Sequence, residues 1–138
     1  MTRNMVTRRI ESILILRQNK EDPSDAEWDE CLRLLVADRD KYPMVKVLVV
    51  TDGGGPSPAQ RKRLDVALRG LSVRVAVVSE SIKVRFVVSS VALLSLKIRS
   101  FRAHELELAY LHLKLTKQEQ PLAQAAVSQM NKELLIDK

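Results

Sequence analysis

The stretch from Val45 to Arg69, VKVLVVTDGGGPSPAQRKRLDVALR, constrains the fold more than any other part of the chain. Val45, Val47, Leu48, Val49 and Val50 form a short, largely β-branched run, the pattern of a central strand buried on both faces. Thr51 and Asp52 end it. Gly53, Gly54 and Gly55 then allow a tight turn through backbone angles that other residues avoid. Ser57 is placed as an N-cap, Pro58 at the first helical position and Gln60 three residues after the serine, which together spell a capping box. Arg61, Lys62 and Arg63 crowd the first turns of the helix. A strand, a glycine-rich turn and a helix N-terminus at the carboxyl edge of a sheet form the usual place for binding or switching in an open α/β fold.

Composition narrows the class. The 138 residues suit one domain with a full core, and 46% hydrophobic with 29% charged residues is the balance of a folded globular chain. The net charge of +6 is compatible with nucleic acid, anionic lipid or an acidic protein as partner. Aromatic residues make up only 4%, so stacking platforms for single-stranded nucleic acid are scarce and a nucleic-acid partner is disfavoured. One cysteine, Cys31, leaves neither an intrachain disulfide nor a cysteine-based zinc cage. No apolar run reaches transmembrane length and the polar N-terminus lacks a signal-peptide core, so the expected location is cytoplasmic.

The rest of the chain supplies the elements around that centre. Residues Asn4 to Ile10 and Ile13 to Leu16 predict a hairpin whose first strand, the more polar, lies at an edge. Ser24 and Glu27 form a second capping box, opening a helix with Trp28, Cys31, Leu32, Leu35 and Val36 inward and Asp29, Glu30, Arg33 and Asp38 outward. Leu64, Ala67 and Leu68 form the inner stripe of the next helix, which stops at Gly70. Val73 and Val75 to Val78 make another interior strand. Ser79 to Ser81 lead into a helix with Val84, Val87, Val88, Val91 and Leu94 on its apolar face. Ile98 to Phe101 is the last strand, and Ala103 to Leu115 a fourth helix carrying Leu106, Tyr110 and Leu113. After Thr116 the chain is polar and breaks at Pro121. Leu122, Ala125, Ala126, Met130 and Leu134 share one face of a further short helix, with residues 117–121 as a hinge. The order β-β-α-β-α-β-α-β-α with a helical extension implies a mixed, mostly parallel sheet covered by helices. Residues 1–115 form the α/β domain and 116–138 the extension, which is expected to dock on its own sheet or to join two copies as a homodimer.

Few constellations support chemistry. The glycine stretch lacks the Lys-Ser/Thr ending of a nucleotide phosphate loop and does not match a dinucleotide fingerprint. It offers backbone amides at a helix N-terminus with Arg61 and Lys62 nearby, and the helix bearing Lys83 and Arg85 should begin at the same sheet edge. Together these are candidates to hold a small anion, a phosphate, nucleotide or lipid headgroup. His104 and His112 lie two helical turns apart, too far to share a metal ion, and no Ser-His-Asp or Cys-His set assembles. Cys31 reads as a small core residue. No catalytic residue, metal ligand or cofactor is assigned, and the chain is expected not to be an enzyme.

The stretches VKVLVVTDGGGPSPAQRKRLDVAL, VRVAVVSESIKVRFVVSSVALL and IRSF with its following helix resemble the STAS domain, the fold of bacterial anti-sigma-factor antagonists, over about residues 4–115. In that family a hydrophobic strand ending in a polar turn precedes a helix whose N-terminus carries a phosphorylatable serine or threonine, and the later helix often starts with a Val-Arg pair, here Val84-Arg85. The family's switch motif runs Asp-Ser-Ser-Gly or close to it; this chain has Asp52-Gly53-Gly54-Gly55-Pro56-Ser57-Pro58, with Ser57 the nearest positional match for a phosphorylated residue. The resemblance implies a regulatory, protein-binding module in bacterial signalling. Its partner surface would comprise Asp52, Gly53, Gly54, Gly55, Ser57, Arg61, Lys62, Lys83 and Arg85, and a small-ligand-binding domain at the same site is the alternative.

Overall fold

A computed structural model describes residues 3–39, 41–70, 72–92 and 97–136. Its strands are β1 (Met5–Ile10), β2 (Ile13–Gln18), β3 (Val45–Thr51), β4 (Val73–Val78) and β5 (Lys97–Phe101). Its helices are α1 (Asp25–Arg39), α2 (Pro58–Ala67), α3 (Ile82–Ala92), α4 (Leu106–His112) and α5 (Glu119–Ile136). The strands lie side by side in sequence order, with β1 antiparallel to β2 and every later pair parallel. This is the mixed, mostly parallel α/β sheet expected from the alternation of elements. The hairpin turns over Glu11 and Ser12, and Glu11 takes a left-handed φ of 54°.

Strand alternation divides the core in two. Ile13, Ile15, Leu48, Ala76 and Val78 face α4 and α5, while Leu14, Leu16, Val45, Val47 and Val73 face α1 and α2. Each parallel crossover steps the same way along the sheet, and right-handed crossovers then set α1, α2 and α3 on one face. The strand expected at the centre is β3, third of five. Its N-terminal half is sealed, but Val49 and Val50 are only half-buried.

Three expectations need correction. Asp38, placed on the outer side of α1, is fully buried and ion-paired with Arg9 of β1, whereas Val36, placed inward, is 43% exposed. Burial pushes the Asp38 carboxyl above its ordinary pKa, against the pull of Arg9 and Lys41. The fourth helix is shorter than expected: a 3-10 turn over Ala103–Glu105 precedes α4, and Lys114 closes it at φ 55°, a place usually held by glycine. Val91's side chain and Leu94, placed on the face of α3, lie outside the described residues.

The third correction concerns the tail. Thr116 and Glu119 form a capping box, with Thr116 N donating to Glu119 Oε1 at 2.9 Å and Glu119 N to Thr116 Oγ1 at 3.1 Å. The helix therefore starts before Pro121, which sits in its first turn, where a missing N–H is tolerated. Residues 117–121 are a capped turn leading into the first turn of α5, and not a hinge. Ala123, Ala126, Met130 and Leu134 are buried on β1 and β2, while Leu122 is 44% exposed and Ala125 exposed, so the apolar stripe is turned from its expected position. Lys46 of β3 lies 3.6 Å from Glu119, and Arg8 of β1 donates to Glu133 at 2.5 Å. The extension completes the same core as the sheet.

Met130 is fully buried in that core, so Met130→Ala should lower unfolding free energy by about 2–5 kcal/mol, read by urea denaturation. A loss below about 0.5 kcal/mol, the range of surface substitutions, would mean that α5 does not pack on the sheet.

Candidate functional site

The β3–α2 turn is bound into the loop that joins β2 to α1. Thr51 ends β3 buried; its Oγ1 accepts from Gly53 N at 3.1 Å and donates to Gly54 O at 2.7 Å. Gly54 N donates to Asn19 O at 2.8 Å, and a Cβ built on Gly54 would stand 2.0 Å from Glu21 O. Only glycine fits there. Gly53, at φ +144°, also holds an angle that side chains avoid. Gly55 N reaches Asp22 Oδ1 at 3.4 Å.

Ser57 caps α2 as its sequence signature requires. Its Oγ accepts from Gln60 N at 3.2 Å, and its own N donates to Gln60 Oε1 at 2.9 Å. Gln60 does more than complete this box. It is 4% exposed, and its Nε2 donates to Pro23 O at 2.9 Å and to Asp25 Oδ1 at 3.0 Å. Its backbone carbonyl accepts from Trp28 Nε1 at 2.9 Å. Each polar atom of this side chain is thus satisfied, and the start of α2 is tied to the start of α1.

One consequence concerns anions. The turn's amides, expected to be free, are engaged: those of Gly53, Gly54, Gly55, Ser57, Gln60 and Arg61 all donate within the chain. A phosphate would have to displace these bonds to use them.

The side chains divide into bound and open. Asp52 accepts two bonds from Arg17 Nη2, at 3.0 and 3.1 Å, while another Arg17 nitrogen donates to Asn131 of α5. With Asp52 half exposed, this pair contributes at most about 1 kcal/mol and positions the turn without holding it. Arg63 pairs with Asp29 of α1. Arg61 and Lys62 are exposed and have no ion pair among the described residues. Lys62 and Arg63 form the rim, and Leu32, Val66 and Ala67 the floor, of a shallow apolar groove of about 380 Å³ between α1 and α2.

Lys83 and Arg85 belong to α3, which Ser81 caps through Val84 N at 3.3 Å. Lys83 is exposed; Arg85 is half-buried, with its Nε enclosed and without a hydrogen-bond partner among the described residues. Among the described residues no hydrogen bond or ion pair joins either residue to the glycine turn, whose partners come from residues 17–28 and from the turn itself. The structure thus brings Asp52, the glycines, Ser57, Arg61 and Lys62 together on one turn and helix, and leaves Lys83 and Arg85 on the neighbouring crossover.

Other groups are set aside from chemistry. Cys31 is 1% exposed, and burial, reinforced by Glu30, pushes its thiol up to about 12, so it stays protonated at neutral pH. Among the described residues no His, Cys, Asp or Glu cluster has the arrangement to hold a metal ion, and no helix is long and apolar enough to cross a membrane. Sequence reasoning missed Asn19, Arg17 and the groove floor at Leu32 and Val66. Only the capping-box position of Gln60 hinted at its wider role.

Gln60→Ala strips partners from Ser57 N and Pro23 O, and should cost about 1–3 kcal/mol for each group left buried and unpaired. Lys62→Ala, on the exposed rim, should stay within about 0.5 kcal/mol of wild type. Thermal and urea unfolding compare them; equal effects would remove the distinction between holding and presenting residues.

No protein-family model matches the chain, and no curated protein or solved structure matches it significantly.

Proposed function

We propose that this protein is a STAS-like, non-enzymatic regulatory module that docks a protein partner on the 53–63 turn and the outer face of α2. The observation that carries this reading is the groove between α1 and α2, with its apolar floor of Leu32, Val66 and Ala67 and its rim of Lys62 and the Asp29-paired Arg63. Val66 is 57% exposed there, and Arg61 extends the positive rim. Apolar area bounded by like charge selects a partner with acidic residues around an apolar anchor.

Two further observations support a docking surface over a small-ligand site. The groove is open and shallow, and the turn's amides are already donated, which removes the cradle that a phosphate would use. The turn is also preorganised by Gly54 and Gln60, so a partner meets a surface whose ordering cost is already met by folding. The element order, a hairpin strand followed by three crossovers and a closing helix, supplies the α/β frame on which this reading rests. Ser57, whose Oγ accepts from Gln60 N, would as the modified residue of such a module carry its phosphate at the N-terminus of α2, where Arg61 and Lys62 would accommodate it.

A photo-crosslinking amino acid placed at Lys62 should trap a distinct heterologous protein in cells, and one at Gln124, exposed on the opposite layer, should not. Arg61→Glu combined with Lys62→Glu, read with the crosslinker moved to Val66, should abolish the adduct without moving the melting temperature. Equal adducts at Lys62 and Gln124, or none at either, would overturn the reading.

A further inference from the structure

A second surface lies at the far edge of the sheet. Among the described residues strand β5 pairs only with β4, in the register Arg74↔Lys97, Ala76↔Arg99 and Val78↔Phe101. Ala76, Val78 and Phe101 face the core beneath α4, so Arg74, Lys97 and Arg99 point to that same face. Arg74 and Lys97 are direct cross-strand partners of like charge, an arrangement that destabilises a sheet. Among the described residues, none of the three cations has an ion pair. Arg74 instead donates through Nε to His112 O at 2.7 Å.

Helix α4 does not cover this end of the sheet. Between it and β5 lies a cavity of about 740 Å³, lined by Arg74, Lys97 and Arg99 on one side and Leu108, Leu111 and His112 on the other. Leu108 is 51% and Leu111 68% exposed. His112 fixes the cavity's shape, with Nε2 at 3.0 Å from Lys97 O and its ring 5.9 Å from that of Phe101. Burial, with Arg74 and Arg99 nearby, holds the His112 imidazole below its ordinary pKa, so the positive charge of the cavity comes from the three basic side chains.

The backbone of β5 is open on its outer side. Phe101 O accepts from Ser79 N at 2.9 Å, so Phe101 bonds to β4. In a parallel ladder alternate residues serve the same neighbour, which directs Lys97 and Arg99 to β4 as well and turns the amides and carbonyls of Ile98 and Ser100 outward. No other described element supplies partners for those outward groups.

We propose that β5 and its flanking cavity bind an extended acidic segment of a partner protein, added to the sheet as a further strand. Its carboxylates would lie on the α4 face over Lys97 and Arg99, with Arg74 one strand further in, and its interleaved apolar side chains would fall on the opposite face of the sheet beside Ile98. Main-chain bonds to Ile98 and Ser100 would supply affinity, and the cations the choice of partner. The same cations exclude a second copy of this chain, whose own β5 would set lysine and arginine against lysine and arginine. The site stands apart from the α2 groove: β5 is at the sheet edge, and the cavity is on the α4 face.

The test uses the full chain and a fluorescein-labelled heptapeptide alternating glutamate and valine, followed by anisotropy. Saturable binding that weakens with salt is expected, with at least about a tenfold loss in Lys97→Glu/Arg99→Glu. A peptide methylated on alternate backbone nitrogens, unable to pair along one edge, should lose a similar factor, and a lysine-valine peptide should not bind. Should the double variant fail to melt cooperatively, Arg99→Ser alone serves, with a smaller loss expected. Arg61→Glu/Lys62→Glu should bind as wild type does, which separates this site from the α2 surface. Undiminished binding of the methylated peptide, or its displacement by octyl phosphate at equal concentration, would overturn strand addition in favour of a small-anion site. Undiminished binding by the charge variants, or loss on the α2 variant, would overturn the location.

Discussion

The buried side-chain amide of Gln60 is the interaction on which the geometry of the α2 surface depends. An amide enclosed without partners costs several kcal/mol, so its position is tolerable only while Ser57, Pro23 and Asp25 all supply theirs. That requirement fixes two helix starts at once, because Pro23 and Asp25 lead into α1 and Ser57 caps α2. Trp28 adds a third tie by donating to the Gln60 carbonyl from within the α1 core. Polar satisfaction here does the positioning, and apolar burial of Trp28, Cys31 and Leu35 does the holding.

The tie requires a particular backbone path. The β3–α2 turn must lie directly on the β2–α1 loop, and at Gly54 a single methyl group would collide with the Glu21 carbonyl. Glycine is therefore a steric requirement at this position, distinct from its conformational use at Gly53. Once the turn lies there, its amides find internal acceptors in Thr51, Asn19 and Asp22. A turn that satisfies itself is well suited to present side chains and poorly suited to wrap an anion, and this favours Arg61, Lys62 and Val66 as the groups that meet a partner.

The sequence made much of the frame legible for identifiable reasons. Uninterrupted apolar runs marked β2, β3 and β4 because parallel strands covered on both faces leave no polar alternation. Both serine capping boxes marked α1 and α2, since their donors and acceptors sit at a fixed spacing. Local signals failed where a residue took an unusual part. Lys114 occupies a left-handed position without being glycine, so the end of α4 was invisible. Thr116 and Glu119 form the same box as the serines, yet Pro121 drew the helix start past them. Asp38 was assigned to solvent by its charge, and only the tertiary partner Arg9, two elements away, explains its burial. Likewise the loop contacts of Gln60 and Gly54 are long-range, and no spacing within either segment encodes them.

The distribution of ion pairs separates architecture from recognition. Arg8, Arg9, Arg17 and Lys46 project from β1, β2 and β3 onto acidic groups of other elements, and Arg63 joins α2 to α1. These pairs stitch helices to the sheet, and replacing one would leave its acid alone, in the case of Asp38 in a fully buried place. Arg61, Lys62, Lys97 and Arg99 are different: they are exposed and their side chains form no ion pair among the described residues. Exposed unpaired cations add little to folding and repel their neighbours, Arg74 and Lys97 most directly. The mild frustration left at the α2 rim and the β5 edge is what an acidic surface brought from outside would relieve, while the internal pairs hold the frame.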